Sequence, residues 1–150
     1  YGNYYFDSKV LDFDASGSAA AFTIVGRGDK YSHLTGGAAK NDIWGGGYAR
    51  QDMYGNNAAV DTFWFGRNDG GDTVQTIDKG DTINLYDVAS ISDVTMTKVD
   101  ANNYSLSLGT SGLTINDTNL AAMKGGLTFQ TMDGSKYTYD TTNSRFVAKA

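Results

Sequence analysis

Phe22-Thr23-Ile24, Ser32-His33-Leu34, Asp42-Ile43-Trp44, Asp52-Met53-Tyr54, Asp61-Thr62-Phe63, Asp72-Thr73-Val74 and Asp81-Thr82-Ile83 share one phase, their first residues lying 10, 10, 10, 9, 11 and 9 positions apart. Each triplet ends in an apolar residue. Most are followed within a few positions by a turn rich in Gly, Asn or Asp, such as Gly26-Arg27-Gly28, Gly36-Gly37, Gly45-Gly46-Gly47 or Gly55-Asn56-Asn57. The unit is therefore a very short strand and a turn. So short a strand makes too few ladder bonds to offset the entropy of ordering it, and it must stack on copies of itself. Stacked coils of this kind form a β-solenoid, whose inward side chains build a continuous apolar column. The phase predicts Ile24, Leu34, Trp44, Tyr54, Phe63, Val74 and Ile83 along one shared inner wall. A sandwich would need longer strands with strict alternation, which residues 22–85 lack.

Composition agrees with an all-β chain. The 150 residues fit one domain and leave little room for two cores. All 17 acidic residues are Asp; Glu, Cys and Pro are absent, and Gly numbers 19. Loss of a good helix former and abundance of turn and strand formers lean to β structure. The formal net charge of -5 offers no basic field to phosphate, which argues against nucleic acid and anionic membranes as partners. No segment approaches the roughly 18 apolar residues of a membrane helix, so membrane insertion is not expected. Without Cys there is no disulfide or thiolate chemistry, and the single His33 cannot build a multi-His metal site.

Flanking segments carry a different rhythm. Val94–Val99 with Tyr104–Leu108, and Leu127–Met132 with Lys136–Tyr139, read as two hairpins turning at Asp100-Ala101-Asn102-Asn103 and Asp133-Gly134-Ser135. Leu113–Ile115 reads as a strand and Asn119–Lys124 as a short helix. The expectation is a single domain over residues 1–150, with parallel coils over about 10–88 and an antiparallel cap over 89–150. Such a cap would cover apolar side chains and unpaired strand groups at one end of the stack. The first residues, Tyr1-Gly2-Asn3-Tyr4-Tyr5-Phe6, contain no initiator Met and no signal-peptide pattern, which suggests a piece of a longer polypeptide.

Over roughly residues 20–88 the chain resembles the repeats-in-toxin (RTX) β-roll and the segment that follows it. The residues that carry the likeness are Gly36-Gly37-Ala38-Ala39-Lys40-Asn41-Asp42-Ile43-Trp44-Gly45-Gly46, Asp61-Thr62-Phe63-Trp64-Phe65-Gly66, Asp69-Gly70-Gly71-Asp72-Thr73-Val74 and Lys79-Gly80-Asp81-Thr82-Ile83-Asn84-Leu85. The resemblance implies calcium held between coils by Asp and turn carbonyls, in modules of secreted bacterial proteases, lipases, toxins and adhesins. Most turns here have lost the Gly residues that let carbonyls close on an ion; Tyr48 and Arg50, for instance, stand at Gly positions. Asp61, Asp69, Asp72 and Asp81 remain as the candidate calcium ligands. Lys30, Lys40, Arg50 and Lys79 lie two residues ahead of triplets, where a cation near Asp42 or Asp52 could balance charge in place of a metal.

No Gly-x-Ser-x-Gly, phosphate-binding Gly-x-x-x-x-Gly-Lys or His-bearing metal motif occurs, so catalysis is not expected. Three functions stay open. The favoured one is a structural or adhesive module of a large exported bacterial surface protein, associating with itself through solenoid ends or with another surface protein. The second is a calcium-binding export module of a secreted hydrolase or toxin. The third is a carbohydrate-binding module, since Trp64 should point outward by strand alternation and Tyr1, Tyr4, Tyr5, Tyr31 and Tyr48 could join it in holding a glycan. All three place the chain outside the cell or on a bacterial surface.

Overall fold

The computed structural model describes residues 2–6, 12–26, 32–45, 50–55, 60–75, 77, 80–116 and 126–149. These form an all-β protein, with one short 3-10 turn at Ile91–Asp93. The strands are β1 (Gly2–Phe6), β2 (Asp12–Asp14), β3 (Phe22–Gly26), β4 (Ser32–Thr35), β5 (Asp42–Trp44), β6 (Gln51–Tyr54), β7 (Thr62–Phe65), β8 (Gly71–Gln75) and β9 (Thr82–Leu85). They continue as β10 (Thr95–Lys98), β11 (Tyr104–Leu108), β12 (Ser111–Ile115), β13 (Thr128–Gln130), β14 (Lys136–Asp140) and β15 (Arg145–Ala148).

Two mixed sheets result. One runs β1-β3-β5-β7-β9-β13-β14-β15 and the other β10-β11-β12-β8-β6-β4-β2. From β1 to β9, consecutive strands alternate between sheets, and each pairs in parallel with the strand two places along the chain. Successive triplets therefore fall on alternate sheets. Their side chains line two walls, not the single wall that the phase predicts. Ile24, Ile43, Phe63, Ile83 and Phe129 are register partners on the first wall. Phe13, Leu34, Met53, Val74 and Ile115 are partners on the second. Apart from the half-buried Phe13, these residues are fully buried and belong to one apolar cluster with Phe65, Leu85 and Leu113. Full burial of each such side chain contributes roughly 1.5–3 kcal/mol, enough together to order strands of three to five residues.

Two of the expected core residues face the other way. Ile43 and Met53 occupy the inner positions, and their neighbours Trp44 and Tyr54 are half-buried on the outer faces. The cause is the uneven register. Ile24 pairs with Ile43, 19 positions on, and Leu34 with Met53, also 19 on, whereas Ile43 to Phe63 is 20 and Met53 to Val74 is 21. A slip of one residue turns a strand's side chains to the opposite face.

The expected antiparallel cap over 89–150 also needs correction. β10 with β11, and β14 with β15, are antiparallel pairs at the expected places. β12, however, lies parallel to β8, and β13 parallel to β9, so the segment first adds a strand to each parallel ladder. Val74 to Ile115 is 41 positions and Ile83 to Phe129 is 46, because the β10–β11 hairpin and the stretch after β12 interrupt the rhythm. The expected helix at Asn119–Lys124 lies outside the described residues. At the capped end Tyr104 of one sheet meets Tyr139 of the other edge-on at 5.9 Å, and Phe146 packs on both Phe129 and Tyr139.

The corrected register is testable by urea unfolding. Met53→Ala should cost about 2–5 kcal/mol, as for other buried large-to-small changes, and Tyr54→Ala distinctly less. Equal losses, or the reverse order, would restore the phase read from the triplets.

Candidate functional site

Asn41, Asp61 and Asp81 each stand immediately before a strand of the first sheet, 20 positions apart, and all are buried. Asp61 Oδ1 accepts from the Asn41 backbone N–H at 2.7 Å and from Asn41 Nδ2 at 2.9 Å. Asp81 Oδ1 accepts from the Asp61 backbone N–H at 2.9 Å. Main-chain bonds climb alongside, from Thr62 N to Asn41 O, Thr82 N to Asp61 O and Thr128 N to Asp81 O. At the lower end Asn41 Oδ1 accepts from the N–H groups of Phe22 and Gly37, while its amide reaches the carbonyls of Gly37, Ala39 and Gly55. The ladder thus ties together the residues that lead into β5, β7 and β9, where an unpaired backbone N–H would be costly. Gly55 lines it so closely that a methyl group there would collide with the Asp61 carboxylate and the Phe63 ring.

Of the four candidate calcium ligands, Asp61 and Asp81 are stacked in this ladder. The other two lie in separate surroundings. Asp69 sits in the turn after β7, buried, where it accepts from Trp44 Nε1 at 3.0 Å, Tyr86 Oη at 2.7 Å and the Gly66 N–H at 2.8 Å. Asp72 is buried in β8, opposite Leu113, beside an open groove lined also by Arg50, Ser105, Thr114 and Asn116. Among the described residues no group of three or more His, Asp, Glu or Cys side chains is placed to hold a metal ion.

The cation substitution expected from sequence has one counterpart. Arg50 Nε lies 3.0 Å from Asp52 Oδ1, and His33 Nε2 lies 3.5 Å from Asp52 Oδ2. His33 is partly exposed on the outer face of the second sheet. Lys40 is exposed, and Lys30 and Lys79 lie outside the described residues.

On the outer face of the first sheet, Trp44 and Trp64 are register partners on neighbouring strands. Trp64 points outward as alternation predicts. Trp44, which the sequence placed in the core, joins it. Tyr86 packs against both, edge-on to Trp44 at 5.1 Å and tilted to Trp64 at 6.4 Å. A chain carrying a methyl group at Gly66 would run into the Tyr86 ring, so only glycine lets the turn close over this cluster. Thr23, Val25, Asp42 and the two Trp rings border an open cavity of about 380 Å³. Tyr1 and residues 31 and 48 lie outside the described residues, as do the side chains of Tyr4 and Tyr5.

Burial raises the pKa of the Asp69 carboxyl above its ordinary value, and the bonds from Tyr86, Trp44 and Gly66 offset only part of that rise. Burial and the Asp69 carboxylate raise the Tyr86 phenol in turn, so it stays a donor across the physiological range. The hairpin turns show the opposite case. Asp100 is held low chiefly by the Asn103 side chain, Asp133 by the Thr131 hydroxyl and Asp140 by the Asn143 side chain.

No family model, curated protein or solved structure matches this chain.

Two predictions follow from the geometry. Gly55→Ala should lower the melting temperature by several degrees through displacement of Asp61, while Gly71→Ala, with open space around it, should change it little. Similar shifts for both would remove the ladder's role. The second concerns pH. A raised folded-state pKa makes Asp69 favour the protonated fold, so its contribution is full below the unfolded value near ~3.9 and is lost as pH rises through the folded value. The three turn aspartates work in the opposite direction, stabilising above their unfolded value and losing this as pH falls through their lowered values. Asp69→Asn should therefore gain stability more steeply than wild type as pH rises from acid towards neutrality. Parallel urea-stability curves would contradict the burial of this charge.

Proposed function

We propose that the chain is a short, calcium-independent β-roll module with a structural and adhesive role in a large exported bacterial surface protein. What supports the reading most is the Asn41–Asp61–Asp81 ladder: it joins successive circuits through carboxylate-to-backbone bonds at the edge where the RTX resemblance implies an ion. The Arg50–Asp52 pair supports it further, with a guanidinium beside a buried carboxylate. The adhesive part rests on the form of the stack. Its working surfaces are rigid outer sheet faces and end strands, and among the described residues β1 and β2 each have only one strand neighbour. An end strand of this kind offers backbone groups to another copy or to another surface protein.

Sedimentation velocity over a wide concentration range, with electron microscopy of the concentrated protein, tests the self-associating role. Concentration-dependent end-to-end particles are expected. Monomers under all concentrations and salts would remove it. Calcium independence has its own test in the melting temperature, which should be the same in calcium and in chelator. A large fall on chelation would favour the calcium-binding export module instead.

A further inference from the structure

We propose that the outer face of the first sheet carries a binding site for a neutral oligosaccharide, built on Trp44 and Trp64 with Asp42 and Thr23 at its polar edge. The inference rests on the adhesive reading for its purpose and adds a ligand to it; the site itself is argued from the side chains below.

Trp44 and Trp64 occupy equivalent places on neighbouring strands, in a row that continues to Val25 on one side and Asn84 on the other. The core is complete without them, since Ile43, Phe63 and Phe65 fill the inner positions of the same strands. Both rings are held from behind. The Trp44 indole N–H is fixed on Asp69, and Tyr86, itself tied to Asp69, wedges against both indoles. An indole whose polar edge is already satisfied presents only its apolar face to a ligand, and a ring that does not move loses little entropy on binding.

The cavity beside this shelf, about 380 Å³, lies within the ordinary range for small-ligand sites. Beside the apolar Val25, its border holds two polar groups: the Asp42 carboxylate and the Thr23 hydroxyl stand on adjacent strands as register partners. A pyranose ring fits this mixture. Its C–H face is apolar and stacks on an aromatic ring, and its equatorial hydroxyls donate to a carboxylate and exchange bonds with a hydroxyl. An apolar protein partner would leave Asp42 without a donor. Anionic sugars are disfavoured by Asp42 and by the net charge of -5.

The chain holds 2 Trp residues, both on this shelf, so tryptophan emission reports on the site alone. The test is titration of the full chain with cello-, malto-, manno- and chito-oligosaccharides, with sialyllactose as the anionic control. At least one neutral series should give a saturable change in emission. Asp42→Asn, which preserves shape, should weaken that binding several-fold. Trp64→Ala, followed by calorimetry and with circular dichroism confirming the fold, should weaken it about tenfold or more. No saturable change with any neutral series, a response to sialyllactose alone, or unchanged affinity in both variants would overturn the proposal. None of these outcomes alters the sedimentation result, so the ligand and the self-associating role fail separately.

Discussion

A carboxylate accepting a backbone N–H from the residue that leads into the neighbouring strand is the bond on which the parallel strands of the first sheet depend. Short parallel strands supply ladder bonds along their length, yet the chain also has to turn before each one, and the turn leaves N–H groups that need another acceptor. Asp61 and Asp81 meet two of these groups, and Asn41 meets the pair from Phe22 and Gly37. Because the acceptors are inside and shielded from water, each bond is worth more than its exposed equivalent, and losing one would strand a buried donor. Asn and Asp share the ladder for a chemical reason. Asn41 stands at the lower end, where carbonyls of Gly37, Ala39 and Gly55 need a donor that a carboxylate lacks.

The same constraint orders the rest of the molecule. With the turns fixed, inner positions repeat every 19 to 21 residues on each sheet, and Ile, Leu, Met, Val and Phe stack on like neighbours. The ladder is bounded by Ala21 below and by Leu127 above, the residue that precedes β13. Beyond that point side-chain acceptors give way to an apolar contact, and the antiparallel β14 and β15 follow. Ser111 plays a related part on the second sheet, where its hydroxyl donates to the Arg67 carbonyl and accepts from the Gly70 N–H, fastening the turn after β7 to β12.

Much of this was legible from the chain alone. Ten-residue recurrence of apolar residues located β3 to β9, and alternation of Thr or Ser with apolar residues located β10, β11 and β12. Aligned by their last apolar residue, the triplets give Trp44 the place that Phe63 holds. The register partner of Phe63 is instead Ile43. The same slip hid the ladder, because it set Asp42 beside Asp61 when the residue in the Asp61 position is Asn41. One apolar residue too many, in Ile43-Trp44 and in Met53-Tyr54, made the two phases indistinguishable by hydropathy. The signal that separates them is polar: Asn41, Asp61 and Asp81 keep a spacing of 20, which Ile43, Phe63 and Ile83 share and Trp44 does not. β1 had no such signal, since Gly2–Phe6 has neither a triplet nor a turn ahead of it.

An outward row on a stack of this kind is free of the demands that fix the inward rows. Nothing in the core requires an indole at 44 or 64, and half-buried aromatics on an outer sheet face leave apolar area in water that Thr, as at 62 and 82, would reduce. Yet the protein does more than tolerate them. Asp69 is buried against the desolvation of its carboxyl, Tyr86 donates to it, and Gly66 leaves the space in which they meet. Asp69 and Tyr86 share a contact with Trp44. Held by Asp69 on its indole N–H and by the edge-on Tyr86 ring, Trp44 is fixed in place on the outer face, which is the preorganisation that a binding surface requires.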